Sequence, residues 1–219
     1  MKLSHLRSIL LLALALLVCV LPLTACKATL KPGENGLYDS QSKISYSHAS
    51  TVYEASELLR EYGKLAVTDK ESYKLYTIPG ADPKKMLATE DYNIVYANGT
   101  TMPTLTEMAP TLIHVCVEGT DSLLALYHVE DAAVVASLAN DYVNGENLTY
   151  YPAVAPLRSY TVRFASTQYP GFYYTLTYLE YGEELTLDGV SYGKYFLRSA
   201  FEGRFVPVGD GIHNVLGRE

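Results

Sequence analysis

Residues 111–145, TLIHVCVEGTDSLLALYHVEDAAVVASLANDYVNG, carry two periodicities that decide the fold class. Thr111 to Glu118 and Leu123 to Val129 are apolar, β-branched runs around Gly119-Thr120-Asp121-Ser122, the pattern of a β-hairpin. Asp131 then offers a side-chain oxygen to the free N–H groups that open a helix. Val134, Val135, Leu138 and Tyr142 recur along one face of that helix, and Asn144-Gly145 ends it.

Toward the carboxy terminus, Tyr160 to Ala165, Phe172 to Tyr181, Lys194 to Arg198 and Arg204 to Val208 read as strands. Pro170-Gly171, Asp188-Gly189 and Gly203 punctuate them, and Asp210 is placed to cap a short helix carrying Ile212, Val215 and Leu216. Toward the amino terminus, Tyr73 to Ile78 and Tyr92 to Ala97 are further strand candidates. Thr51 and Glu54 have the spacing of a capping box, which predicts a helix over Val52, Ala55, Leu58, Leu59 and Tyr62 that stops at Gly63. Strands joined by turns and interrupted by single helices predict an α+β domain over 51–219, with mainly antiparallel sheet: a hairpin, a C-terminal β-meander and a few flanking helices. Pro152 and Pro156 mark 151–157 as the place for a subdivision. Residues 26–50 are polar and broken by Pro32-Gly33 and Asn35-Gly36, which predicts a flexible linker. The S-x-x-K match from Ser40 to Lys43 falls inside it without the companion motifs of penicillin-binding enzymes.

The chain begins with Lys2 and Arg7, followed by an apolar run from Ile9 to Leu23. At roughly 1.5 Å per residue the run is too short for a hydrocarbon core of about 30 Å, so it reads as a signal-peptide core. It closes on Leu23-Thr24-Ala25-Cys26, an aliphatic residue, two small residues and a cysteine. This segment resembles the lipobox of bacterial lipoproteins. The resemblance covers residues 1–26 and implies removal of a signal peptide, residues 1–25, and lipidation of Cys26. It places the remainder outside the cytoplasm, tethered to the bacterial membrane.

Without residues 1–25, 15 basic residues face 24 acidic ones, a formal charge of −9. That balance argues against a nucleic-acid partner and against an anionic membrane surface beyond the lipid anchor. Of three cysteines, Cys19 leaves with the signal and Cys26 takes lipid, so Cys116 has no intrachain disulfide partner.

Tyrosine is the compositional oddity, with 20 Tyr and no Trp. Many fall in the C-terminal meander, where Phe172, Tyr174, Leu176 and Tyr178 share one strand face. Tyr173, Thr175, Thr177 and Tyr181 are the candidate binding residues on the other, suited to an envelope protein or glycan. His114, Cys116 and Glu118 alternate onto one strand face, and with His128 they are candidate zinc or copper ligands. A regular four-residue loop, however, pairs 118 with 123 and 114 with 127, which sends His128 to the opposite face. Glu90-Asp91, Glu130-Asp131 and Glu183-Glu184 are adjacent acids and point apart in strands, unlike a catalytic carboxylate pair. No H-E-x-x-H, EF-hand or dinucleotide motif occurs. The expectation is a lipid-anchored, non-catalytic binding module without a cofactor. The alternative is a small extracytoplasmic hydrolase or metal-binding protein using His114, His128 or His213 with nearby acids.

Overall fold

The computed structural model describes residues 27–33, 36–67, 70–119, 123–149 and 152–217. The signal segment and Cys26 lie outside these. Strands take up 45% of the described residues and helices 13%, so the fold is mostly β and not the α+β arrangement expected from sequence. It consists of a closed seven-stranded barrel joined to a seven-stranded sheet, with a separate two-stranded hairpin.

In chain order the first strands are β1 (Ala28–Gly33), β2 (Gly36–Asp39), β3 (Ile44–His48), β4 (Tyr53–Ala55), β5 (Glu61–Ala66), β6 (Ser72–Tyr76), β7 (Met86–Thr89) and β8 (Ile94–Ala97). All but β4 form the barrel, in the order β1-β2-β3-β8-β7-β6-β5. Its seam is a parallel pair, with Ala28 opposite Gly63 and Leu30 opposite Leu65. A Cβ built on Gly63 would lie 2.2 Å from the Ala28 carbonyl oxygen, so the seam closes only over glycine. Ala28, Leu30, Leu37, Tyr46, Leu75, Leu87 and Val95 fill the interior.

Two expectations fail here. The stretch read as a flexible linker supplies β1, β2 and β3. Each holds only one or two buried residues, too few to show a period, and Gly36 opens β2 instead of loosening a spacer: its φ is +147° and a Cβ there would lie 2.1 Å from the Tyr46 carbonyl oxygen. Asp39, 1% exposed, anchors the β2–β3 turn. Burial raises its pKa, but hydrogen bonds donated by Ser42 Oγ (2.6 Å), the Gln41 N–H (2.9 Å) and Tyr62 OH (3.3 Å) outweigh that and leave the carboxyl below its ordinary value. The S-x-x-K match is this turn. Residues 51–63 form β4 and the start of β5 instead of a helix. Glu54 caps nothing locally, because its carboxylate is engaged by Arg163, 109 positions away.

The second part contains β9 (Leu112–Glu118), β10 (Leu123–Val129), β11 (Arg158–Ala165), β12 (Phe172–Glu180), β13 (Thr186–Leu187), β14 (Val190–Ser191), β15 (Tyr195–Ser199) and β16 (Arg204–Pro207). The sheet order is β10-β9-β11-β12-β15-β16, with β4 added along β12 and β13–β14 as the hairpin apart. Because β9 pairs with β11, strands from before and after residues 151–157 join one sheet. Helices α1 (Leu105–Met108), α2 (Ala132–Asn144) and α3 (Gly211–Leu216) contribute to the main core. Thr104 and Glu107 cap α1 reciprocally, and Asp131 accepts from the N–H groups of Ala133 (2.9 Å) and Val134 (3.3 Å) to start α2.

Phe172, Tyr174, Leu176 and Tyr178 do form the inward row and pack with Val135, Leu138 and Tyr142 of α2. Met86, Ala88 and Ile94, on the outer side of the barrel, belong to the same cluster, so barrel and sheet share one core. Tyr rings serve there because their hydroxyls find acceptors: Tyr142 (2.5 Å) and Tyr174 (2.7 Å) both donate to the carboxylate of Glu202.

Candidate functional site

The hairpin buries Ile113 and Val115 toward the core, which turns His114 and Cys116 to the opposite face of the sheet. Regular pairing holds only as far as Ala125 opposite Cys116. The register then slips between Ala125 and Tyr127, so that Tyr127 faces Val115 and His128 faces His114. This β-bulge at Leu126 overturns the expectation that His128 points away. The two Nδ1 atoms lie 2.8 Å apart, one ring donating to the other, with the rings edge to face.

Cross-strand register extends this face. Arg163 stands beside His114 and next to Thr175, and Tyr173 pairs with Glu54 on β4. The Arg163 guanidinium donates through Nε and Nη2 to both oxygens of Glu54, the Nε bond being 2.9 Å, and lies 5.3 Å from the centre of the Tyr173 ring. Thr175 Oγ1 donates to Glu54 at 3.3 Å, and Tyr173 meets His114 edge to face at 5.4 Å. Tyr173, Thr175, Thr177, Arg163, Glu54 and His114 are partly exposed and His128 is exposed. The result is a continuous aromatic and charged surface on the side opposite the main core.

Cys116 sits on this side yet is only 2% exposed. Burial raises its thiol pKa, and the neighbouring Arg163 cation offsets this in part. It is therefore a poorly ionised thiol. Glu118 is exposed at the strand end, opposite Leu123. His114 is held below the ordinary imidazole range, first by burial and then by His128 and Arg163.

The remaining candidates lie elsewhere. Tyr181 is 3% exposed and packs against Phe196 in a small cluster with Leu148, Leu179 and Phe205, so it is not part of the open face. His213, on α3, stacks on Tyr195 and places Nδ1 3.3 Å from Glu180 Oε1, without hydrogen-bond geometry. Among the described residues no group of three or more His, Cys, Asp and Glu side chains is arranged to hold a metal, and no helix is long and apolar enough to cross a membrane. A cleft where barrel meets sheet, lined by Asp82, Lys85, Thr101, Tyr169 and Pro170 among others, contains none of the candidate residues. Sequence reasoning missed Glu54 and Arg163. Arg163 was visible as a charge in an apolar strand, but nothing local indicates its partner.

Fold and site together define a barrel-and-sheet β-protein with one open, aromatic and charged sheet face. No protein-family model matches the chain, and neither a curated protein nor a solved structure matches it significantly.

Proposed function

We propose that this protein is an extracytoplasmic, lipid-anchored binding module without catalytic activity, which engages an envelope protein or glycan through the face built by Tyr173, Thr175, Thr177 and Arg163. The observation that carries the reading is the asymmetry of the sheet. One face is consumed by the helices and the barrel, whereas the other presents an aromatic ring, a bidentate ion pair and hydroxyls held in register by three strands, β4, β11 and β12. Such side chains make good interfacial anchors because they are already positioned. A hydrolytic role finds less support: both oxygens of Glu54 are taken by Arg163 and one also by Thr175, so Glu54 is not free to act as a base.

The test is a comparative pull-down from solubilised membranes with the intact lipoprotein and its Tyr173→Ala and Thr177→Lys variants. The reading expects one species retained by the wild type and lost from both variants at unchanged folding. Equal retention by all three would show that this face is not the contact. The anchor is tested by Cys26→Ala, which should shift the protein out of the detergent phase; an unmodified Cys26 thiol in the native protein's intact mass would refute lipidation.

A further inference from the structure

The β-bulge at Leu126 has one chemical consequence. In regular register the two histidines would lie on opposite faces of the hairpin, whereas one extra residue in β10 brings their Nδ1 atoms to 2.8 Å. Bulges recur beside functional sites because they re-aim a side chain. We infer that His114 and His128 form a two-imidazole site for a single divalent transition-metal ion of the copper(II) or nickel(II) class.

The spacing selects the metal. Imidazole nitrogen binds such ions at about 2.0 Å, and two nitrogens 2.8 Å apart then subtend an angle of about 90° at the ion. That is the cis angle of a square-planar or tetragonal centre, which copper(II) and nickel(II) favour. A tetrahedral zinc site would need the nitrogens about 3.3 Å apart. Ligation requires both rings to be neutral. Glu54 pairs with Arg163 and so neutralises the cation next to the site. The edge of the Tyr173 ring against His114 supports that imidazole's orientation. His128 is exposed, so the remaining coordination positions open to water or to a donor group on whatever binds the face. This inference stands apart from the binding-module reading, since it needs no partner.

The experiment uses the full chain in detergent, stripped of metal and titrated with copper(II) sulfate near neutral pH, followed by calorimetry and electron paramagnetic resonance. One ion per chain with nitrogen in its equatorial plane is expected, with zinc sulfate binding more weakly. His114→Ala and His128→Ala should each remove the saturable phase, while His48→Ala and His213→Ala keep it. Deleting Leu126 removes the bulge but leaves Tyr127 opposite Val115 and His128 opposite His114, so the saturable phase should persist in that variant. Because His128 is exposed, His128→Ala decides the matter even where His114→Ala folds poorly. No saturable copper binding by the wild type, or binding that survives His128→Ala, overturns the inference.

Discussion

Exposure separates neighbours on β12 that chemistry alone would treat alike. Leu176 is 3% exposed and faces the α2 stripe, whereas Tyr173 stands half open on the other side. Leu176→Ala should cost about 2 to 5 kcal/mol through cavity formation, read from denaturant midpoints, and Tyr173→Ala much less. The reverse order would mean that the proposed binding face is core. His114 provides a second residue-scale expectation. Its folded pKa is depressed, so below about pH 6.5 the unfolded chain binds more protons than the native one. The stability it contributes is present above the unfolded value and lost as pH falls through the folded one. Denaturant midpoints should therefore drop on acidification below about pH 6.5, and His114→Gln should flatten that part of the profile. A wild-type slope unchanged in the variant would show that other groups govern it. At this scale the sequence was informative wherever alternation ran long. The inward row of β12, nine residues in one strand, was legible in full. The contact of Glu54 with Arg163 was not, because a partner 109 positions away leaves no local trace.

Elements were legible in proportion to their length. The hairpin of β9 and β10, helix α2 and the meander from β11 to β16 all contain runs long enough to show a period of 2 or 3.6. The barrel is made of strands of four to six residues, several with one or two buried side chains, and its amino-terminal third looks like linker. The false helix at 51–63 shows the same weakness: spacing of Val52, Ala55, Leu58 and Leu59 satisfies helical periodicity, yet pairing of β4 with β12 and of β5 with β1 overrides propensity. The bulge in β10 was invisible because a hairpin register inferred from loop length assumes no inserted residue. Closure at the β1–β5 seam can be tested directly. Gly63→Ala pushes a methyl group against the Ala28 carbonyl, so it should destabilise the protein by about 1 to 3 kcal/mol, whereas Gly99→Ala, with open space around it, should show only the backbone effect of its positive φ. Equal thermal shifts for the two would mean that the seam gives way without cost.

Barrel and sheet are distinct in hydrogen bonding and continuous in packing, and the two descriptions make different predictions about unfolding. If backbone pairing defined the cooperative unit, the barrel would melt by itself. The shared cluster argues otherwise, since Ile94 on β8 and Met86 on β7 lie among Val115, Phe164, Phe172 and Leu176 of the sheet. Strand β4 ties the parts further: it pairs with β12 on one side, and its Ala55 N–H donates to the Tyr92 carbonyl just before β8 at 2.8 Å. Cys116, buried in the sheet, reports on one part, and Ile94, 1% exposed on the barrel wall, perturbs the other. In the wild type a thiol reagent should label Cys116 slowly until denaturant is added. Ile94→Ala should lower global stability by about 2 to 5 kcal/mol. If opening of the sheet requires opening of the barrel, Cys116 labelling should accelerate in that variant in step with the lost stability, and circular dichroism should show one transition. Unchanged Cys116 labelling beside a separate low-temperature transition would mean that the barrel unfolds alone and that the common core does not couple the two.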